Sequence, residues 1–338
     1  MTSRHNAGTL QAWRMKKMDL QTNDDRALGL VFGTAIGDAL GAPVEFMRME
    51  QIRARYGPRG IQELPTPAEY TDDTQMFLAT LEGLLKGGCD ATLDEAGAWI
   101  ADAYTAWSVS PENNRAPGNA CMTGCLNLQH GVPWHESGVP NAKGCGTAMR
   151  SMAYGLWFAG APEKAAEWAA SHAVMTHRSD EAMASAAAVA AGCAELLLAD
   201  TCTARFSEVV VEAARAFDLA TGNLLLDAFE FAERSHLAVA MAEDSMPSQV
   251  LDRWSGWRGR EAVAAAVYCF MRHLGDYEAC VREAANSPGD SDSLACIAGA
   301  FCGSLNGAGR IPERWKQTIE NGEQLALLPG RVRAAWAG

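Results

Sequence analysis

The first residues of the 338-residue chain lack an apolar stretch of the length that a signal peptide requires. These residues, Met1 to Asn23, mix basic and polar side chains, and the chain's longest weakly polar stretch, Ala182 to Ala199, is alanine-rich and interrupted by Glu195. That stretch reads as a buried helix. Nothing points to export, so a cytoplasmic location with no membrane partner is expected. Basic residues are also outnumbered, and three group closely only at Arg14, Lys16 and Lys17 near the N-terminus. A formal net charge of −13 argues against non-specific binding to nucleic acid or to anionic lipid, since both reward basic patches. No segment alternates apolar and polar residues as a half-buried strand does, and the βαβ pattern of a dinucleotide fold is absent. No internal repeat or Pro/Gly/Ser-rich linker divides the chain. The ten cysteines are scattered over helical, alanine-rich segments, which makes reduced core thiols the default. Cys121, Cys125, His130 and His135 follow no spacing of a structural zinc site.

What is present is helical. Hydrophobic residues make up 48% and charged residues 20%, enough for a substantial core. Apolar residues recur at three- and four-residue spacing over Asp94–Trp107, Glu163–Ala173, Ser179–Leu198, Phe206–Leu219, Leu224–Met241 and Gly259–Leu274. The expected fold is therefore all-α, a single compact multi-helix bundle over residues 26–338. Residues 1–25 precede it as a tail or a partner-binding arm. Irregular loops are expected near Pro58–Tyr70, Ser110–Asn119, Gly131–Gly146 and Met241–Gly259.

Four segments carry chemistry. In the first, Gly33, Gly37 and Gly41 lie four apart on one helical face, with Asp38 among them and Glu45 just beyond Pro43. Each glycine in a helix interior costs about 0.5–1 kcal/mol relative to alanine, so three of them imply close packing or access. In the second, Tyr70-Thr-Asp-Asp-Thr opens an apolar helix. Thr71, Asp72 and Asp73 suit a helix N-terminus, and they converge on one cation only from a non-helical opening turn. In the third, Gly289-Asp-Ser-Asp-Ser opens another small-residue helix with Asp290, Asp292 and Ser293. It lacks the glycine and glutamate of an EF-hand loop. Two such helix starts are better explained together than apart: four carboxylates and two or three hydroxyls match a pair of hard divalent cations, and would repel without them. In the fourth, Gly144-Cys-Gly146 precedes a helical turn whose N–H groups face an anion, although it is no P-loop. Cys145 also reads as a thiol nucleophile with His172 or His177 as base.

Together these pieces resemble the ADP-ribosylglycohydrolase family, which includes dinitrogenase reductase-activating glycohydrolases and ADP-ribosyl hydrolases. The matching words are G-x-x-x-G-D-A-L-G…E, Y-T-D-D-T, G-C-G-T-A-M-R, M-T-H and G-D-S-D-S, in the family's order over roughly residues 28–307. The resemblance implies two Mg²⁺ ions, with Mn²⁺ as the substitute, held by Thr71, Asp72, Asp73, Asp290, Asp292 and Ser293. Ser293 stands where the family usually has Thr, keeping the oxygen and losing the stiffening methyl. Glu45 matches the glutamate over the ribose. Gly144, Cys145 and Gly146 match the loop around the diphosphate, where the family often has Asn in place of Cys145, and His177 matches a histidine lining the same pocket.

The implied reaction is removal of ADP-ribose from a modified protein side chain, arginine favoured. Asp72 or Asp73 handles the proton and Glu45 gates or assists. Glu112 is a candidate for a further acid. Two alternatives stand beside this one. The first is hydrolysis of another ADP-ribose linkage. The second is an immunity protein that binds an ADP-ribosyltransferase toxin through residues 1–25, with or without hydrolysis.

Overall fold

A computed structural model of the chain describes residues 24–239 and 251–337. The proposed partner arm up to residue 23 and the start of the expected loop after Met241 lie outside the described residues. Asp24 and Asp25 form the first turn of a helix, Asp24–Gly41. After it come helices Met49–Tyr56, Asp72–Gly87, Leu93–Ser108, Asn119–Gln129, Met152–Trp157, Pro162–Ala173, Asp180–Leu196, Thr203–Arg215 and Leu219–Val239. Gly259–Arg272, Tyr277–Ala285, Ser291–Asn306, Glu313–Thr318 and Gly322–Ala337 complete the described set, with short 3₁₀ turns between. The fold is all-α.

Local chemistry sets the boundaries. Thr92 accepts from the Glu95 backbone N–H and Glu95 returns the bond to the Thr92 N–H. This capping box starts the helix slightly ahead of the apolar spacing. The stretch expected as one helix from Phe206 to Leu219 ends at Arg215, because the Asp218 carboxylate accepts from both the backbone and the hydroxyl of Thr221 and caps the next helix instead. Two short strands, Val139–Pro140 and His177–Arg178, pair in parallel. At two residues each they are too short to leave a period in the sequence.

The centre of the molecule is a seam between Asp24–Gly41 and Ser291–Asn306. A Cβ built on Gly29, Gly33, Gly37 or Gly41 falls 2.2, 2.2, 2.0 and 2.4 Å from the carbonyl oxygens of Gly303, Gly299, Ala295 and Ser291 respectively. The order of these pairs makes the two helices antiparallel and in backbone contact. The first helix is apolar and long enough to cross a membrane, but Leu30, Val31, Ile36 and Leu40 are wholly covered by protein. Phe206 anchors the neighbouring layer, meeting Phe229, Phe270 and Phe301 edge-to-face with centroids 5.8, 5.1 and 5.2 Å away. The antiparallel seam puts the last turn of the first helix, which carries Asp38, and Glu45 just after it, beside the start of Ser291–Asn306.

Gly37→Ala has no room for its methyl, and overpacking of this kind costs about 1–3 kcal/mol. Gly330 is also helical, but nothing lies within 4 Å of a Cβ there. Gly330→Ala is expected to gain up to about 1 kcal/mol from helix propensity. Urea denaturation of both variants checks the contrast; equal midpoints would remove the seam from its central role.

Candidate active site

Three chain segments meet at the end of the seam. Asp38, fully buried, accepts from the Thr71 backbone N–H with both oxygens, at 2.9 and 3.1 Å. It also accepts from the Thr74 N–H at 3.0 Å and the Thr74 hydroxyl at 2.5 Å. These bonds hold the opening turn of Asp72–Gly87 in place. Thr71 keeps an extended backbone there as the cap, and its hydroxyl accepts from the Asp73 N–H. Asp72 and Asp73, expected in a non-helical opening turn, are instead the first two residues of the helix, and both line the cavity.

The second acidic helix start is fixed from two sides. The Asp290 N–H donates to the Ser255 carbonyl at 2.8 Å, and the Ser291 hydroxyl to the Gly41 carbonyl at 3.0 Å. Gly289 adopts φ +108°, and a Cβ there would lie 2.3 Å from the Ser255 carbonyl oxygen, so the turn before Asp290 needs glycine. The Cys145 thiol donates to Asp290 Oδ2 at 2.7 Å and lies 3.4 Å from the Ser293 hydroxyl. Glu45 follows the 3₁₀ turn Ala42–Val44. Its carboxylate and those of Asp290 and Asp292 have oxygens within 4.8 Å of one another.

A cavity of about 330 Å³ joins these groups. It is lined by Glu45, Asp72, Asp73, Gly144, Cys145, Gly146, His177, Asp290, Asp292 and Ser293, the residues singled out in the sequence, whereas Thr71 is buried and does not line it. Glu112 is exposed and does not line the cavity; its backbone N–H donates to the Ser110 hydroxyl and its carbonyl accepts from the Gln75 amide. Residue order alone assigns no role to Asp38 and does not point to Phe46 or Trp257. These two rings stack at the mouth with centroids 5.1 Å apart and are 65% and 41% exposed. An exposed aromatic pair brought together by two loops has no sequence pattern. Asp38 did have a signal, a charged residue inside a small-residue helix.

Electrostatics single out the same place. Burial, and after it repulsion from Asp292, pushes Asp38 up to about 7 and Glu45 up to about 10. The same two causes raise Asp72, Asp73 and Asp290 well above the usual carboxylate range, and burial raises Asp292. Asp73 Oδ2 is buried without a hydrogen-bond partner. An all-oxygen donor set with an orphaned carboxylate oxygen fits a hard divalent cation, which supplies the missing counter-charge.

Other readings of the motifs fare less well. The Cys145 thiol is pushed up by burial, then by Asp290 and Asp73, which disfavours a thiolate nucleophile. His172 lies in the core between the Tyr154 hydroxyl and the Leu93 carbonyl, away from the cavity. Cys121 and Cys125 are buried whereas His130 and His135 are exposed, and among the described residues these four form no metal-binding group.

Comparison with known proteins adds the identity. Residues 19–338 match the family model described as ADP-ribosylglycohydrolase. An uncharacterised protein of Archaeoglobus fulgidus is 30% identical over 317 residues, covering 91% of this chain and 96% of its own. The ADP-ribosyl-dinitrogen reductase glycohydrolase of Rhodospirillum rubrum is 28% identical over 309 residues, 88% of this chain and 90% of its own. The ADP-ribosylarginine hydrolase Tri1 of Serratia proteamaculans is 24% identical over 315 residues, 90% and 78%. A solved ADP-ribosylglycohydrolase-related protein complex superposes with a TM-score of 0.68 at 25% identity, covering 93% of this chain and 98% of that one. With sequence and architecture agreeing over nearly the whole length, this chain belongs to the ADP-ribosylglycohydrolase family of hydrolases.

Proposed function

We propose that the protein is a cytoplasmic, Mg²⁺-dependent hydrolase that releases ADP-ribose from modified protein side chains, with arginine the favoured attachment. The observation that carries this reading is the meeting of two acidic helix starts, more than two hundred residues apart in sequence, around one cavity with Asp73 Oδ2 unpartnered. Arginine is favoured because relatives aligned over about 90% of this chain are named ADP-ribosylarginine hydrolases. Cys121, Cys125, Cys193, Cys269 and Cys296 are buried thiols outside any disulfide, which supports a reducing compartment.

Thr71, Asp72, Asp73, Asp290, Asp292 and Ser293 would hold two Mg²⁺ ions, with Mn²⁺ as the substitute. When bound, such ions supply Lewis acidity toward ribose hydroxyls and water. The protein's own groups account for the rest. Cleavage at the ribose C1″ builds oxocarbenium-like charge, and the surrounding carboxylates stabilise it electrostatically. Asp72 or Asp73 takes the proton of the attacking water. Glu45, facing Asp290 and Asp292, closes over the ribose and assists. Gly144 and Gly146 leave the wall open for the diphosphate: a Cβ on Gly144 would sit 3.2 Å from His177 Nε2, and one on Gly146 2.6 Å from Cys121 Sγ.

Arginine-ADP-ribosylated protein incubated with the enzyme is expected to release free ADP-ribose, read by liquid chromatography. EDTA abolishes the release and Mg²⁺ restores it. Asp73→Asn and Asp292→Asn are each expected to lower kcat/KM by about 100-fold or more while keeping the helical circular dichroism. Undiminished turnover in EDTA would refute the metal requirement, and release from a serine-linked substrate alone would refute the arginine preference.

A second outcome follows from the raised carboxyl pKa values. Asp38 and Glu45 sit above their unfolded values of 3.8 and 4.5, at about 7 and about 10. The folded state therefore binds more protons than the unfolded state across that window. Stability is fully present below the unfolded pKa and is lost as pH rises through the folded ones. In EDTA, the thermal midpoint is expected to fall between pH 5 and pH 8, and saturating Mg²⁺ to flatten that slope. An apo midpoint that rises with pH contradicts the clustered charge.

A further inference from the structure

Arg150 is 2% exposed, and among the described residues no carboxylate pairs with it. Its Nη2 donates to the Thr176 hydroxyl at 2.8 Å. Its Nη1 faces the sulfur atoms of Met76 and Cys121 at 3.6 and 3.7 Å. The guanidinium also lies 4.8 Å from the centre of the Tyr104 ring. An arginine keeps its proton in any protein environment, and a buried charge without a counter-charge is costly. Folding stability alone gives no reason to keep it.

The bond from Arg150 continues toward the cavity. Thr176 Oγ1 accepts from Arg150 and lies 2.8 Å from His177 Nδ1. The hydroxyl has one hydrogen to give, and its neighbours are that ring nitrogen and the Cys121 sulfur. A nitrogen lone pair is the stronger acceptor, so the hydrogen goes to Nδ1. The ring hydrogen is then on Nε2. That atom lines the cavity wall between two glycines, 3.2 Å from a Cβ built on Gly144 and 3.5 Å from one on Gly146. Parallel pairing of His177–Arg178 with Val139–Pro140 fixes the backbone that carries the ring.

We infer that Arg150 and Thr176 are positioning residues that fix His177 in its Nε2–H tautomer, so that it donates to a phosphoryl oxygen of a diphosphate-containing ligand. Burial, and then the Arg150 charge, lowers the ring to about 3, so it stays neutral throughout the working pH range. His177 is then neither a base nor a metal ligand through Nε2, because that nitrogen has no free lone pair. The inference rests on the hydrolase reading for the identity of the ligand. The relay itself is a property of the free protein.

The test has two arms. Long-range ¹H–¹⁵N spectra of the ¹⁵N-histidine-labelled protein, recorded without ligand between pH 6 and 8, are expected to show His177 protonated at Nε2 and bare at Nδ1. Calorimetric titration with ADP-ribose is expected to show a Kd about tenfold weaker for Thr176→Val and within about twofold of wild type for Thr176→Ser, which keeps the hydroxyl. On arginine-ADP-ribosylated protein, Thr176→Val is expected to raise KM with kcat nearly unchanged. An Nδ1–H tautomer or an imidazolium in the wild type overturns the relay. A folded Thr176→Val protein that binds ADP-ribose as tightly as wild type overturns its role in binding. Wild-type protein without affinity for ADP-ribose sinks the ligand assignment through the hydrolase reading, while the ligand-free spectrum judges the relay alone.

Discussion

The structure depends on one contact, the approach of two helix backbones along Gly29, Gly33, Gly37 and Gly41 on one side and Gly303, Gly299, Ala295 and Ser291 on the other. Helices with ordinary side chains at the contact pack about 8–10 Å apart. Removing the Cβ atoms lets these two come closer, and the Ser291 hydroxyl then reaches the Gly41 carbonyl. That short separation carries Asp290 and Asp292 into range of Glu45. Larger residues in the seam would retain two well-formed helices while moving their acidic ends apart.

The acid cluster opposes the fold that holds it. Carboxylates gathered at low exposure raise one another's pKa, and the chain offsets this through local devices. Asp38 takes bonds from Thr71 and Thr74. Asp72, Asp73 and Asp292 lie in first helical turns and Asp290 at a cap, where the positive end of the helix dipole favours negative charge. Arg115 ties the 110–119 loop to the Tyr70 carbonyl and pairs with Glu320, which steadies the strand of chain leading into Thr71. A site arranged in this way resists collapse but remains short of positive charge, as expected where binding supplies what folding omits.

Much of this was readable from residue order. Helical periodicity was written plainly, because an amphipathic helix repeats its signal every turn. The glycines at four-residue spacing announced a close approach, but their partner could not be named, since a helix face does not encode which other face it meets. Asp72, Asp73, Asp290 and Asp292 were legible because two similar helix starts invite a joint explanation. Asp38 stood out as a charge inside a small-residue helix, but its role did not, because its partners Thr71 and Thr74 lie on another segment. Phe46 and Trp257 were invisible for another reason: exposure is a property of the folded surface. Arg150 read as the end of a Gly-rich word, and only its burial without an acid gave it meaning.

The division of the acidic groups between the two ends of the chain also bears on biosynthesis. Glu45, Asp72 and Asp73 leave the ribosome early, whereas Asp290, Asp292 and Ser293 follow only when most of the polypeptide has been made. Loop closure over so long a separation is entropically slow. A nascent chain therefore carries half a cage, with one side of the glycine seam bare, until the late helix docks. Assembly of the acidic cluster is thereby coupled to completion of the polypeptide, and a product terminated before Asp290 carries only its early half.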